Sequence, residues 1–268
     1  MPTTTPDYRL KIARAKAHIG SLATEIDEFL GRNPYTIVAH DNAETRKRSY
    51  RVKIQESLPC NWAPIIGDVI HNTRSSLDLL AVSVVRHCDP QRQSFKHVHF
   101  IVGETKEKFE ARLPKNIKGA SPEAIKLFHE LKPYPGGNEA LVQLHDLDIL
   151  DKHQAIIPVG SAFHSVNLTA FMQGQWNRLV AEENFPAADF PDFLARPADR
   201  MYPLQDGAEL ISADLDGMMP IEERLQFRFY ISFGRDQVLE GEAVVPALLH
   251  LCNVVEGIFD IFETHIFK

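Results

Sequence analysis

Residues 67–81 read Gly67-Asp68-Val69-Ile70-His71-Asn72-Thr73-Arg74-Ser75-Ser76-Leu77-Asp78-Leu79-Leu80-Ala81. At 3.6 residues per turn, Ile66, Ile70, Thr73, Leu77, Leu80, Ala81 and Val84 share one side of a helix. Asp68, His71, Arg74, Ser75 and Asp78 share another, at spacings of three and four. One face is therefore core. The other carries two acids, an imidazole, a guanidinium and a hydroxyl within three turns. The helix is expected over 62–87, with Asn61 as its N-cap, Pro64 in the first turn and Asp89-Pro90 closing it.

Two further helices frame it. In residues 7–31, Ile12, Ala15, Ile19, Leu22, Ile26 and Phe29 step by threes and fours, and Gly31 and Pro34 end the run. In 244–266, Leu248, Leu251, Val255, Ile258 and Phe262 make a similar seam. Shorter helices are expected at 105–112, from Ser121-Pro122-Glu123 to Pro133, and at 138–152. The segments 35–41 and 47–56 read as a hairpin turning at Asp41-Asn42-Ala43-Glu44, because Tyr50, Val52 and Ile54 alternate with charged residues. Val98, Phe100 and Val102 suggest a short strand. Strands are also expected at 156–159, 166–171, 176–181 and 225–233, with 184–203 an irregular connection and turns at Asp206-Gly207 and Asp216-Gly217.

Helices flank the strands rather than alternating with them. The fold class is α+β: a helical bundle of the first, second and C-terminal long helices plus shorter ones, packed with a mainly antiparallel sheet. One compact domain over 1–268 is expected, with a possible subdivision into a mainly helical 1–155 and 156–268.

The chain has 268 residues, 44% hydrophobic and 24% charged, a composition typical of a globular protein with a substantial core. No uninterrupted apolar run has the roughly 18–20 residues of a membrane span, and the N-terminus has no basic-then-apolar leader. A cytoplasmic location without membrane attachment is expected. Cys60, Cys88 and Cys252 are odd in number and far apart, which suits free thiols in a reducing compartment, and no CxxC or CxxH pattern occurs. Charge is uneven: ten Lys/Arg face seven Asp/Glu in 1–57, but six face seventeen in 180–268. The net charge of −7 argues against general nucleic-acid binding. The basic cluster Arg46, Lys47, Arg48, Arg51 and Lys53 reads as a solvated turn and strand face.

The block Gly67–Ala81 resembles the marker of a bacterial and phage family of uncharacterised proteins, of the form Gly-Asp-x-x-His-Asn-x-Arg-Ser-x-Leu-Asp-x-Leu-Ala. A second block of that family, Leu-x-x-Leu-x-x-x-Asp-Lys-His, is matched by Leu144-His145-Asp146-Leu147-Asp148-Ile149-Leu150-Asp151-Lys152-His153. Between them the family carries a Phe-Pro-Ile-like strand; His99-Phe100-Ile101 stands there without the proline. The resemblance spans the first helix to the last and implies no activity.

If the two blocks face one another, His71, Asn72, Arg74 and Asp78 meet Asp151, Lys152 and His153. The set suits acid–base catalysis. His71 or His153 would be the general base, Asp78 and Asp151 would orient the histidines, and Arg74 and Lys152 would stabilise developing negative charge, with Asn72 and Ser75 binding ligand. The structural alternative is a polar network joining two helices, with Arg74 and Asp78 paired at i,i+4. A divalent metal on His71, Asp68 or Asp78, and His153, with His145 as a further ligand, is a separate possibility, although no HExxH-like motif supports it.

A hydrolase acting on a small or anionic substrate is the leading function. A non-catalytic anion-binding or defence-associated regulatory protein is the alternative. A third reading, a helical ribonuclease, rests on Arg92 to His97 and on His71-Asn72-Thr73-Arg74 in reverse order. No GxSxG nucleophile elbow exists. The seams at 12–29 and 248–262 suit either the core or a homodimer.

Overall fold

The computed structural model describes residues 5–154, 156–167, 194–195, 202–214 and 225–267. Six helices and six strands occur among them: α1 (Asp7–Gly31), β1 (Tyr35–Asn42), β2 (Lys47–Ile54), α2 (Trp62–Cys88), α3 (Lys106–Asn116), α4 (Pro122–Glu130), α5 (Glu139–His153), β3 (Pro158–Asn167), β4 (Leu194–Ala195), β5 (Glu209–Asp214), β6 (Leu225–Phe233) and α6 (Val244–His265). The fold is α+β, with antiparallel sheets. Instead of one unit with a seam at 155/156, the chain forms two compact units. One holds 1–25, 59–158 and 236–268; the other holds 26–58 and 159–235. Each is assembled from segments distant in sequence, so a single cut point does not describe it.

The first unit is a helical bundle around α2. Ile66, Ile70, Thr73, Leu77, Leu80, Ala81 and Val84 are all buried, as the periodicity requires. From α6, Leu248, Leu251, Val255, Ile258 and Phe262 are buried. Ile12, Ala15, Ile19 and Leu22 of α1 are buried within this unit. Both seams are therefore filled by their own chain. By length and composition α6 is apolar enough to cross a membrane, which the search for uninterrupted apolar runs overlooks; eight of its residues are buried. Thr73 Oγ1 meets the Cys252 thiol at 3.4 Å inside the core. Cys88 is half-buried and Cys60 exposed; all three thiols are free.

Charge fixes the register of α1 against α6. Arg9 reaches Glu263 through Nε (2.9 Å) and Nη2 (2.8 Å), and Asp260 through Nη2. Tyr8 donates to Glu263 at 3.0 Å, and Lys16 pairs with Glu256. Two local readings change. Asn61 is the N-cap residue of α2 as expected, but its side chain makes no capping bond; its amide and the Trp62 indole both donate to Glu25. The 98–102 segment is buried but is not a strand, because the Phe100 amide and carbonyl bond to the side chains of Asp78 and Arg74 rather than to a neighbouring strand. Thr105, Ser121 and Asn138 cap α3, α4 and α5.

The second unit carries the sheets β1-β2-β5 and β4-β3-β6. The hairpin pairs Tyr35 with Ile54 through to Asn42 with Lys47, and Asn42 Oδ1 accepts the amides of Glu44 and Thr45 in the turn. Strand β5 pairs with β2; its polar, short sequence gives little strand signal, and the sequence reading does not include it. Tyr35 stands 5.1 Å from the Phe229 ring, and burial pushes its hydroxyl up to about 12. The expected 156–159 and 166–171 strands coincide with the single strand β3 up to Asn167. The remainder of the second, the 176–181 strand and the Asp216-Gly217 turn lie outside the described residues, as does most of the 184–203 connection.

The Arg9 guanidinium holds the Glu263 carboxyl below its ordinary range, chiefly by direct hydrogen bonding. A depressed carboxyl contributes stability above its unfolded pKa and loses it as pH falls through the folded value. Glu263→Gln is therefore expected to lower the melting temperature at neutral pH. The difference from the parent should shrink steadily on acidification; a constant difference would show that the ion pair is not its source.

Candidate functional site

Helices α2 and α5 run antiparallel, and their facing polar residues form successive rungs. Gly67 lies against Asp151, His71 against Asp148, and Arg74 is near enough to His145 to act on its charge. Along α2 these positions step by four and three; along α5 they step back by three and three, as two helices sharing a seam require. The first rung is possible because residue 67 has no side chain. A Cβ there would overlap both oxygens and the carbon of the Asp151 carboxyl group.

The second rung carries the chemistry. His71 Nδ1 lies 3.1 Å from Asp148 Oδ1, and Lys152 Nζ donates to Asp148 Oδ2 at 2.5 Å. The Asp148 side chain is 6% exposed, whereas those of His71 and Lys152 are 55% and 53% exposed. A buried carboxylate thus receives two half-exposed partners, one on each oxygen. With Nδ1 bonded to Asp148 as donor, Nε2 is the basic nitrogen of this half-exposed ring.

Around this pair the field is acidic. Burial, then Asp148 and Asp68, push the Asp151 carboxyl up; His71 and Lys152 only partly oppose them. His145 is shifted the other way. Burial and the Arg74 cation hold its imidazole neutral to lower pH than usual. Its Nδ1 and the Arg74 Nε are buried without a protein partner.

Arg74 is 7% exposed, and both its terminal nitrogens are committed to structure: Nη1 donates to Asp78 Oδ1 (2.8 Å) and Nη2 to the Phe100 carbonyl (2.8 Å), while Asp78 Oδ1 also accepts the Phe100 amide (2.9 Å). Arg74 is bonded to the 98–102 segment through the Phe100 carbonyl, and Asp78 is bonded to Arg74 and that backbone, with no histidine on it. The histidine's carboxylate is Asp148, present in the second block but absent from the expected set. Asn72 accepts from Lys11 (3.0 Å) and donates to the Asp68 carbonyl, and Ser75 bonds back to the Asn72 carbonyl, so both are occupied within the bundle. His153 is exposed at the end of α5. It lines a recess of about 360 Å³ with Ala63, Pro64, Asp151, Lys152, Gln154 and Ile156. Asp151 and Lys152 are common to this recess and the His71 cluster.

The metal reading needs His71, His153 and Asp68 or Asp78 together, and they are not. Among the described residues no three His, Cys, Asp or Glu side chains are placed to hold a metal ion. Comparison with family models, curated proteins and solved structures finds no match to this chain.

Two substitutions read the seam directly. Gly67→Ala forces Asp151 off α2 and is expected to cost about 1–3 kcal/mol by overpacking, measured by denaturant unfolding. Asp151→Asn has the opposite sign. A carboxyl whose folded pKa is raised contributes its stability only at low pH and loses it as pH rises through that value. The asparagine should therefore raise the melting temperature at neutral pH and show no such gain under acid conditions.

Proposed function

We propose that the α2–α5 seam is a hydrolytic acid–base site, with His71 as general base and Asp148 as the carboxylate that orients it. One observation carries the reading: a half-exposed imidazole is held through Nδ1 by a buried carboxylate, which leaves Nε2 as its free ring nitrogen for proton uptake. A merely structural histidine gains little from that arrangement. A general base needs it, because the carboxylate fixes the tautomer and stabilises the imidazolium formed on proton uptake.

In this reading His71 Nε2 takes a proton from water as the water oxygen attacks an electrophilic carbonyl or phosphoryl centre. Lys152, anchored on the other oxygen of Asp148, keeps two N–H donors for the negative charge that develops. Asp151, the carboxyl pushed upward beside it, is suited to return a proton to the leaving group. Arg74 and Asp78 act at one remove, by fixing the backbone behind α2. The recess shared by Asp151 and Lys152 receives the substrate; its cation suits an anionic group, and Ile156 and Pro64 supply apolar wall.

Turnover of chromogenic carboxylic esters, phosphomonoesters and phosphodiesters tests this. His71→Ala should reduce hydrolysis of the accepted class by about 10²–10⁴-fold, the usual contribution of a general base, with only a small loss of melting temperature, because the ring is half-exposed and Asp148 keeps Lys152 as a partner. Asp148→Asn should lower turnover less. A fall of several degrees in His71→Ala without loss of turnover would sink the proposal in favour of a structural network. Saturable binding of an anion without turnover would favour the anion-binding reading.

A further inference from the structure

We infer that the open face of the β1-β2-β5 sheet carries a second, independent site, for a phosphoryl-bearing small molecule. The register lays out a grid on that face. His40, Ser49 and Ser212 form the central row; Asn42 and Lys47 lie to one side of it, and Val38, Arg51 and Glu209 form the other flank. The pleat turns Tyr50 and Val52 to the opposite face, where both are buried. Across the grid, neighbouring strands stand about 4.8 Å apart, and successive residues on one face lie about 6.8 Å apart.

Two short serines occupy the centre and one side of the middle row, while the long side chains of Lys47 and Arg51 stand on β2 to either side of Ser49. The result is a hollow of about 560 Å³, and its lining includes His40, Lys47, Ser49, Arg51, Glu209 and Ser212. A sheet face filled by medium-sized residues would leave no such space.

The charges around the hollow are not equally committed. Asp41 is held by Arg48 through Nε (2.6 Å) and Nη2 (2.8 Å). Arg51 meets Glu209 only at 3.5 Å, and both are nearly half-exposed, so that pair is loose and opens readily. The Lys47 ammonium makes no hydrogen bond or ion pair with another described residue, nor does the His40 ring. Two cations, an imidazole and the Ser212 hydroxyl thus converge on one space, lined also by Glu209, which is loosely held, and by Asp41, which Arg48 already engages. This donor set exceeds what a carboxylate accepts. It matches the three terminal oxygens of a phosphoryl group, with the planar Arg51 fork on two of them and the Lys47 ammonium on the third. The apolar stem of Val38, half-exposed beside Arg51, leaves room for an organic substituent on the phosphate.

The test is a ¹⁵N–¹H NMR titration of the whole chain at constant ionic strength with inorganic phosphate, glycerol phosphate and acetate. The expected result is a saturable perturbation of the His40, Lys47, Ser49 and Ser212 amides by both phosphates and none by acetate. Lys47→Ala should abolish it, with the remaining spectrum showing that the sheet is intact. Glu209→Gln should tighten binding several-fold by removing the competing acid. Tighter binding of glycerol phosphate than of phosphate would assign the site to an organic phosphate; equal binding would assign it to the free ion. The inference is overturned if no amide saturates, if acetate acts as phosphate does, or if Lys47→Ala binds as the parent does. Because these residues are remote in sequence from His71 and Asp148, their failure leaves the hydrolytic reading standing, and the converse also holds.

Discussion

The helical unit depends on how closely α2 can approach α5. Gly67 sets that distance: its missing side chain lets the Asp151 carboxyl rest on the α2 backbone, and every later rung of the seam takes its register from there. One turn further along, the same register places His71 opposite Asp148. A larger residue at 67 would separate the helices where the polar groups need hydrogen-bond distance, and a buried carboxylate without its partners is costly. The opposite side of α2 is locked by ordinary apolar burial of Ile66, Ile70, Leu77 and Leu80. The helix therefore cannot rotate to relieve strain on its polar side.

Polar groups do different work at different depths on this helix. Arg74 is buried, and its two terminal nitrogens are satisfied by Asp78 and the Phe100 carbonyl, so it replaces the ladder that the 98–102 segment would otherwise find in a sheet. His71, three residues earlier, is half-exposed and keeps one ring nitrogen free. Residue type alone does not separate these roles; exposure does. The same contrast separates Asp148, 6% exposed and doubly bonded, from Asp151, which burial and two neighbouring acids make harder to ionise. Two carboxyl groups three residues apart thus have different surroundings, one bonded on both oxygens and the other pushed toward its protonated form.

Much of the fold was legible because it rests on periodicity. The seams of α1, α2 and α6 are buried residue for residue as their threes and fours imply, and the hairpin at 35–54 pairs as expected, although its turn lies at 43–46, two residues beyond the Asp41 to Glu44 reading, because Asp41 and Asn42 pair with Arg48 and Lys47. The failures are local and have physical causes. Asn61 stands at the N-cap position, but its backbone is already helical there and its side chain makes no capping bond; its amide NH2 donates to Glu25 instead. The alternation of Val98, Phe100 and Val102 reflects burial, while the backbone partners that would make a strand are replaced by two side chains. Strand β5 is short and polar, and pairs with β2 from across the sequence. The division into two units depends on which distant segments meet, and composition carries no record of that.

For the candidate site, the sequence by itself determined the inventory: two helical blocks, each with acids, a histidine and a cation at helical spacing. Spacing fixes which groups share a face, because the helix repeat is rigid. Only the tertiary structure decided the pairing. The antiparallel sense of α5 and the rung set by Gly67 matched His71 with Asp148 rather than with Asp78 or Asp151, and left His153 at the far end of α5. Hydrogen bonds act over about 3 Å, while a shift of one residue along a helix moves a side chain by 1.5 Å and turns it through 100°. Partner choice across two helices is therefore set by register, and register is a property of the packed pair, absent from either segment alone.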